Sequence, residues 1–266
     1  MSALRILAIA LLCIYVLIGL AIYLLQESLI FLPESLPDNY EYSFNKDFEE
    51  HSLIMEDGAV INALYFKLQD SRGLIVYFHG NAGNLERWGQ VAESFVDLGY
   101  EVLITDYRGY GKSTGNRSEI KLMSDAEEIY AFAKKLEGED QIVIFGRSLG
   151  SAFASYLSSK NNPNKLILET PFYSLTDVAR KLFPIYPASL LLNYRFDNHE
   201  YLNQTKAPVY IFHGNEDEIV PYESGQKLYE AVEEQATLFT IDGGHHNDLA
   251  AFDSYWEHMK SVLIDE

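Results

Sequence analysis

Three kinds of side chain that cooperate in covalent catalysis occur in one order along this sequence, each just after a short apolar run. Ser148 lies in Gly-Arg-Ser-Leu-Gly, an acidic run around Asp217 follows His-Gly-Asn, and the pair His245 and His246 follows Asp-Gly-Gly. A serine hydroxyl is a poor nucleophile unless a histidine takes its proton and a carboxylate orients that histidine. The three groups therefore indicate an activated serine that attacks a carbonyl carbon.

The residues around Ser148 predict a tight turn from a strand into a helix. Residues 141–145 are rich in β-branched and aromatic side chains, which favours a buried strand, and residues 151–158 carry apolar groups at helical spacing. Gly146 and Gly150 have no Cβ, so the strand and the helix can approach closely. We expect this turn to present the serine hydroxyl at the C-terminal end of the sheet. The alternative is a glycine-rich turn with a solvated serine.

The acid and the base follow two later predicted strands. Residues 206–212 precede the acidic run, and residues 237–241 precede the two histidines. Because the carboxyl ends of parallel strands share one edge of a sheet, we expect both groups at the edge that carries the serine. An acidic loop residue is usually only solvated and a loop histidine is usually inert. Their order and their common edge make the combination specific.

Backbone donors for a developing oxyanion are predicted at two places. One is the N–H of Leu149, directly after the serine, where such donors stabilise a tetrahedral intermediate. The other is the N–H of Asn81, in the glycine-containing loop 79–84 that follows the apolar run ending at Phe78. Asn84, in the same loop, is also suited to cap the next helix. Both roles are compatible.

The elements that must position these groups alternate along the chain. Alternating strands and helices predict an α/β class domain with a mostly parallel central sheet covered by helices on both faces. An antiparallel hairpin is predicted at its start. The other predicted strands are 73–78, Glu101–Thr105 and Lys165–Glu169, the hairpin strands are 44–55 and 60–68, and the predicted helices are 84–98, 118–136, 221–234 and 248–264.

The first thirty residues are predicted to form a transmembrane anchor that precedes a catalytic domain over 31–266. Residues 6–25 are twenty uncharged, almost wholly apolar residues, about the length that spans a bilayer as a helix. A cleavable signal peptide is the alternative, but no small-x-small site follows the run. Arg5 before the run and acidic residues after it predict a cytoplasmic N-terminus and an extracytoplasmic domain. Deleting about the first 26 residues is expected to release an active soluble enzyme.

Residues 171–202 interrupt the alternation and are predicted to form a small, partly helical cap over the site. They are rich in aromatic and apolar residues, among them Phe172, Leu182 and Leu190, and they follow the strand that ends at Glu169. Ligands of open α/β sheets bind outside the carboxyl ends of the strands, where such an insert lies. The alternative is that these residues only pack on the sheet and close the core.

Composition argues against several other classes of protein. The net charge of −19 repels phosphate backbones, so nucleic-acid binding is not expected. A phosphate loop would need a glycine where Asp106 stands, and a dinucleotide fingerprint would need one at Thr114. The single cysteine, Cys13, and the lack of a second ligand cluster near the tandem histidines argue against a metal site. No cofactor is expected.

Several motifs together resemble one family. They are 26–33 (Gln-Glu-Ser-Leu-Ile-Phe-Leu-Pro), 79–84 (His-Gly-Asn-Ala-Gly-Asn), 106–113 (Asp-Tyr-Arg-Gly-Tyr-Gly-Lys-Ser), 146–150, 170–172 (Thr-Pro-Phe), 213–221 and 244–248 (Gly-His-His-Asn-Asp). With these motifs the chain resembles the α/β-hydrolase superfamily, and more narrowly the ABHD-type serine hydrolases that carry one N-terminal anchor. The resemblance covers nearly the whole chain.

The resemblance implies a Ser148, Asp217 and His246 triad. His246 is preferred to His245 because this branch places its base directly before Asn-Asp, although the doubled histidine departs from the pattern. It also implies hydrolysis of an ester or thioester of a small-molecule or lipid-like acyl substrate, without a cofactor, at a membrane. A serine peptidase of the same fold is the alternative, and a non-catalytic binding scaffold is a third, which the three candidate residues argue against.

Overall fold

The computed structural model describes residues 3–265, in which strands and helices alternate. Residues 1, 2 and 266, at the ends of the predicted anchor and catalytic domain, lie outside this range. The strands are β1 (Leu32–Pro33), β2 (Phe48–Ile54), β3 (Val60–Phe66), β4 (Leu74–Phe78), β5 (Ala82–Gly83), β6 (Glu101–Thr105), β7 (Ile142–Arg147), β8 (Lys165–Glu169), β9 (Val209–Gly214) and β10 (Ala236–Ile241). The α-helices are α1 (Ala3–Ile30), α2 (Leu85–Val96), α3 (Glu119–Leu136), α4 (Gly150–Lys160), α5 (Leu175–Leu182), α6 (Ala188–Leu191), α7 (Asn198–Leu202), α8 (Tyr222–Ala231) and α9 (Asp253–Lys260).

One sheet of eight strands forms the centre of the domain, in the order β10-β9-β8-β7-β4-β6-β3-β2. Neighbours from β10 to β6 run parallel, whereas β3 is antiparallel to both β6 and β2. The mostly parallel sheet and the initial hairpin are therefore confirmed. In the register, Phe78 of β4 pairs with Gly146 of β7, so the loops that follow these two strands leave the sheet side by side.

Helices cover both faces of the sheet, as predicted. On one face α3 and α4 bury Leu122 and Phe153, and on the other α2 and α9 bury Trp88, Phe95 and Tyr255. All five residues of β4 are buried between these layers. A strand that is buried on both faces has no polar side to show, which is why its sequence is a continuous apolar run.

The last helix is the element that differs most from its prediction over 248–264. A 3₁₀ turn at Leu249–Ala251 is followed by Phe252, whose backbone is extended (φ −97°, ψ 131°), and then by α9 and a π-helical turn at Ser261–Asp265. The extended residue packs its ring against the core that contains Tyr255. Burial of this aromatic ring breaks the helix that the apolar spacing predicts.

A short pairing joins the exit of α1 to the loop after β4. Leu32 and Pro33 of β1 run parallel to Ala82 and Gly83 of β5. Strands of two residues carry no periodic signal, so this pairing could not be predicted. It places the end of the N-terminal helix at the edge of the sheet where β4 and β7 terminate.

Residues 171–202 leave the sheet after β8 and form three short helices, α5, α6 and α7. The N-terminal helix α1 lies against this insert. Its Tyr15 ring stacks on Tyr186 with centroids 4.6 Å apart, and a Cβ added to Gly19 would lie 3.2 Å from the same tyrosine ring. Farther along α1, the buried Gln26 donates to the carbonyl of Leu191. The helix is therefore fixed on the insert by contacts spread over three turns.

Candidate active site

Ser148 sits at the turn between β7 and α4 in a left-handed backbone conformation, with φ of 49°. Such a conformation costs an L-residue about 1–2 kcal/mol, so it persists only where the surroundings impose it. A Cβ on Gly146 would lie 2.6 Å from the Cβ of Ala154, and a Cβ on Gly150 would overlap the carbonyl of Phe78. The predicted close approach of strand and helix is confirmed, and it leaves the serine at the tip of the turn.

The structure brings Ser148, His246 and Asp217 into one hydrogen-bonded chain. The Nδ1 atom of His246 lies 2.7 Å from Oδ2 of Asp217, and its Nε2 atom lies 2.9 Å from Oγ of Ser148. A carboxylate can only accept, so Nδ1 carries the hydrogen and Nε2 accepts the hydrogen of the serine hydroxyl. His246 and Asp217 are both buried.

Asp217 is held in place by several donors. Its Oδ1 accepts from the N–H groups of Ile219, at 2.9 Å, and Val220, at 2.8 Å. Burial alone would raise the pKa of Asp217, but the donors His213 and His246 and the Val220 N–H outweigh it and hold the pKa well below its ordinary value. The carboxylate therefore stays charged and able to orient the histidine.

His245 points away from the serine. It is exposed, its Nδ1 lies 3.0 Å from Oε2 of Glu218, and its N–H donates to Asp248 at 2.7 Å. A hydrogen bond with Glu218 raises the pKa of His245. Asp248 thereby closes the turn that directs the next residue, His246, inward. The geometry thus brings the second histidine of the pair, and not the first, to Ser148.

Arg147, which directly precedes Ser148 in Gly-Arg-Ser-Leu-Gly, connects the serine turn to the histidine loop. Its Nε lies 3.1 Å from Oε1 of Glu169, and its Nη2 donates to the carbonyl of His246 and to Oδ1 of Asn247, both at 3.3 Å. Glu169 also accepts from the hydroxyl of Tyr255 at 2.7 Å. This buried network was not predicted. The available signal was a lone arginine at the end of an otherwise apolar strand.

The loop after β4 and the turn after Ser148 each present one free backbone donor near the serine. Within residues 3–265, the N–H groups of Asn81 and Leu149 donate to no other group of the protein. The carbonyl of Asn81 accepts from the N–H of Leu32 at 2.9 Å and from the hydroxyl of Tyr110 at 2.7 Å. These bonds hold the Asn81–Ala82 peptide, which directly follows the peptide that carries the predicted oxyanion donor. Asn84 caps α2 through its side chain, so the alternative role is also met.

A second buried pair, His79 and Asp106, supports this loop from below. Nε2 of His79 lies 3.3 Å from Oδ1 of Asp106, and its Nδ1 lies 2.6 Å from the carbonyl of Gly80. Burial raises the pKa of Asp106, and His79 opposes that rise. The hydroxyl of Tyr107 donates to the carbonyl of His79 at 2.6 Å. The Asp106 motif therefore helps to position the loop that carries the predicted oxyanion donor.

Two clefts share Ser148 as a lining residue. The first, of about 240 Å³, is apolar, and the second, of about 400 Å³, is more polar and includes Arg87 and Arg147. The apolar cleft is lined by Ile22, Gln26, Leu29, Ile30, Asn81, Ser148, Leu149, Phe172, Leu175, Val178, Ala179, Leu182, Phe183, Leu192, Ile219 and Val220. The insert thus contributes to the cleft, but Leu190, named from the sequence, does not line it.

No group of three or more His, Cys, Asp or Glu side chains within residues 3–265 is arranged to hold a metal ion.

Helix α1 is long and apolar enough to cross a membrane, and none of its most apolar stretch is buried.

The chain is similar to several known proteins. Residues 69–195 match the Hydrolase_4 family, described as serine aminopeptidase S33. An uncharacterized membrane protein of Saccharomyces cerevisiae is 32% identical over 228 residues, covering 82% of this chain and 80% of that protein. Protein bem46 of Schizosaccharomyces pombe is 30% identical over 92% of this chain and 87% of its own length. The lysophosphatidylserine lipase ABHD12 of Danio rerio is 32% identical over 70% of this chain, but only 53% of that protein is covered.

Solved structures share the fold at lower identity. An esterase of Pyrococcus furiosus matches with a TM-score of 0.69 and 20% identity, over 89% of this chain and 97% of that one. The esterase Est1E of Butyrivibrio proteoclasticus, with ferulic acid bound, gives a TM-score of 0.64 and 22% identity, over 80% and 96%. These likenesses establish the α/β-hydrolase fold.

Proposed function

Because this chain belongs to the α/β-hydrolase family, among proteins that resemble ABHD-type enzymes, we propose that it is a membrane-anchored serine hydrolase that cleaves carboxylic ester or thioester bonds. The observation that carries the proposal is the continuous chain from Ser148 through His246 to Asp217, with separations of 2.9 Å and 2.7 Å. Ser148 lines both an apolar cleft and a more polar one. That arrangement suits an amphiphilic acyl ester, whose acyl chain and polar leaving group need different surroundings.

In the proposed reaction, Oγ of Ser148 attacks the acyl carbonyl carbon while Nε2 of His246 takes the hydroxyl proton. Asp217 stabilises the imidazolium that forms. The oxyanion is stabilised by the N–H groups of Leu149 and Asn81. His246 then gives its proton to the leaving oxygen or sulfur, which departs as an alcohol or thiol. Water, deprotonated by His246, hydrolyses the acyl-enzyme and releases the carboxylic acid.

The described residues of the two clefts provide no acidic group that would bind the free amine of an aminopeptidase substrate. The family description names a serine aminopeptidase, and such an enzyme must bind a substrate ammonium group close to the scissile bond. A buried or partly buried carboxylate is the usual partner of an ammonium group. Among the described residues that line the two clefts, none is acidic, and the polar cleft carries Arg87 and Arg147 instead. This favours the ester or thioester over the peptide.

We also propose that α1 holds the catalytic domain at a membrane, with the N-terminus cytoplasmic and the domain on the other side. Helix α1 has the length and composition of a single span, and the yeast relative is described as a membrane protein. The orientation is supported by Arg5 at the start of α1 and by acidic residues after its end.

Labelling with a fluorophosphonate tests the proposed nucleophile directly. The wild-type protein in detergent micelles should be labelled, and the Ser148→Ala protein should not be. The same substitution should lower kcat for a p-nitrophenyl ester by about four orders of magnitude or more. Aminoacyl-anilides measured in parallel should be hydrolysed far more slowly than the ester. Undiminished labelling of the alanine variant would reject Ser148 as the nucleophile, and faster anilide cleavage would favour the peptidase.

A further inference from the structure

The N-terminal helix contributes a wall to the apolar cleft beside Ser148. Ile22, Gln26, Leu29 and Ile30 line the cleft from α1, opposite the apolar residues of α5. Their spacing of i, i+4, i+7 and i+8 is that of one helix face. A helix with the features of a simple membrane anchor therefore also faces the reacting serine.

This wall is fastened by polar contacts at the end of α1. Gln26 is buried, its Nε2 donates to the carbonyl of Leu191 at 3.2 Å, and its Oε1 accepts from the N–H of Asn193 at 2.6 Å. One residue farther on, Glu27 accepts from the hydroxyl of Tyr194 at 2.6 Å. A buried amide that satisfies main-chain groups of the insert is costly to displace. The helix end and the insert therefore form one cleft of defined width.

The contact between α1 and the insert continues toward the N-terminus. The hydroxyl of Tyr15 donates to the carbonyl of Ile185 at 3.0 Å, and the hydroxyl of Tyr186 donates to the carbonyl of Tyr15 at 3.1 Å. At a rise of about 1.5 Å per residue, Tyr15 lies about 16 Å along the axis from Gln26. The tip of the insert, residues 182–191, thus lies alongside the uncharged part of the helix.

The depth of this contact follows from the length of the uncharged run. Residues 6–25 extend about 30 Å as a helix, which matches the hydrocarbon thickness of a bilayer. When they span it, Tyr15 and the insert tip lie within the hydrocarbon and Gln26 lies at its surface. The two tyrosine hydroxyls then donate to main-chain carbonyls for which the lipid offers no hydrogen-bond donor.

The surface of the insert tip is suited to that environment. Leu182, Ile185 and Leu190 are 67%, 70% and 79% exposed, although water is an unfavourable neighbour for such side chains. The exposed basic residues Arg180 and Lys181 precede them in a chain of strongly negative net charge. Apolar side chains next to long basic ones are typical of segments that enter a bilayer, because Lys and Arg extend their charged ends toward the lipid headgroups.

We propose that α1 and the insert tip form one membrane-embedded passage, through which the acyl chain of a bilayer amphiphile reaches Ser148, with Ile22 and Leu29 determining how long a chain is accepted. This proposal rests on the proposed hydrolase function. The cleft is continuous with helix residues that face lipid, so an acyl chain can move from the bilayer to the serine without exposure to water. The anchor is then also a part of the acyl-binding site.

A substitution that narrows the cleft from α1 tests the wall. Leu29, which lines the cleft, and Leu25, which does not, are 58% and 56% exposed on the same helix, so Leu25→Trp is a matched control for Leu29→Trp. The full chain in lipid vesicles is assayed with butanoyl and palmitoyl esters. The ratio of kcat/KM for the palmitoyl ester to that for the butanoyl ester should fall by about tenfold or more in Leu29→Trp. The reason is that each methylene that can no longer be buried in the cleft lowers kcat/KM by about fourfold. Ile22→Trp should act in the same direction.

The outcomes separate this proposal from the proposed function. Equal ratios in the Leu29→Trp, Ile22→Trp and Leu25→Trp proteins would reject the wall while leaving the hydrolase intact. A wild-type protein that hydrolyses neither ester and resists fluorophosphonate would reject the hydrolase, and with it the acyl passage. Thermal unfolding of each variant, measured alongside, confirms that a changed ratio comes from a folded protein.

The depth of the insert tip has its own measurement, which does not depend on activity. In a Cys13→Ser background, Ile185→Cys and Gln141→Cys are labelled with an environment-sensitive nitrobenzoxadiazole dye. Gln141 is exposed at the start of β7, at the opposite edge of the sheet. In vesicles, the dye at position 185 should shift to shorter wavelength and be quenched by a lipid-soluble nitroxide, and the dye at position 141 should do neither. A water-like signal at both positions would overturn the embedded tip.

Discussion

The Nε2 atom of His213 lies 3.2 Å from Oδ2 of Asp217, the same carboxylate oxygen that receives Nδ1 of His246. His213 is fully buried, and its Nε2 also lies 2.9 Å from the carbonyl of Val220. One N–H of this ring therefore serves both a main-chain carbonyl and the acid of the proposed triad. A histidine that lines neither cleft thus helps to hold Asp217 in the position in which it contacts His246.

We expect His213→Phe to lower kcat by about tenfold or more, because it removes a donor to a charged acceptor, and such hydrogen bonds contribute about 1.5–3 kcal/mol. His213→Gln, which returns an amide N–H near the position of Nε2, should recover much of this loss. The measurement is kcat for a soluble short-chain ester, with the thermal midpoint recorded for each protein. Equal kcat values for the two variants would assign His213 to packing alone.

The two neighbouring histidines should differ sharply in their effect on turnover. His246→Ala should lose about as much kcat as Ser148→Ala, because the two residues act as one unit. His245→Ala should retain most of its activity, since its ring faces Glu218 at the surface. Steady-state ester hydrolysis by the purified variants decides between them, and the reverse ranking would reassign the base.

The charge on Asp217 should be visible in stability at acid pH. Its pKa in the folded protein lies below the value of about 3.9 expected when unfolded, so its contribution is complete above that value and is lost as pH falls toward the folded pKa. Asp217→Asn should therefore flatten the fall in the urea midpoint between about pH 4 and pH 2. The same variant should also lose most of its kcat at neutral pH.

Two results would count against this view of Asp217. If the urea midpoint fell as steeply between about pH 4 and pH 2 in Asp217→Asn as in the wild type, other carboxylates would govern stability in that pH range. Near-normal kcat in the same protein would move the orienting role to Glu216 or Glu218, which flank Asp217 in the sequence.

Arg87 should favour substrates whose leaving group is anionic. It lies in the polar cleft, with its guanidinium 5.0 Å from the centroid of the Trp88 ring, and it has no acidic partner within 4 Å among residues 3–265. Arg87→Gln should lower kcat/KM by about fivefold for an ester with an anionic alcohol, since an exposed ion pair contributes at most about 1 kcal/mol. The effect should fade as salt is raised.

The control for Arg87 removes the same charge elsewhere. Lys135 is exposed on α3 and lines neither cleft. Lys135→Gln should leave the preference between anionic and neutral leaving groups unchanged. An equal loss for both kinds of ester in Arg87→Gln would show that the arginine does not recognise the charge.

The serine turn could be predicted because its cause is local. The glycines at 146 and 150, the apolar run before them and the small residues after them specify a strand, a turn and a helix within about fifteen residues. The shared sheet edge then follows from parallel pairing, which a βα alternation implies. Each step uses neighbouring residues or a general rule of topology.

Arg147 and the wall formed by α1 could not be predicted, because their partners are distant in sequence. Arg147 contacts residues 22, 99 and 100 positions away, and Gln26 meets Leu191 and Asn193 across more than 160 positions. Hydropathy alone indicates an anchor for residues 6–25, since lipid and an acyl cleft favour the same side chains. A chain shortened by 26 residues, expected from the sequence to be active and soluble, would lack Ile22 and Gln26 from its cleft.

The left-handed backbone at position 148 restricts which amino acids this turn could use as a nucleophile. Threonine has the same hydroxyl chemistry as serine, but a β-branched residue is disfavoured at φ of 49°, although Thr170 adopts a similar φ of 47° elsewhere in this chain. Cysteine is unbranched and meets no such barrier. The main chain at position 148 would therefore accept Ser148→Cys, which replaces oxygen by sulfur, more readily than Ser148→Thr, which adds one methyl group.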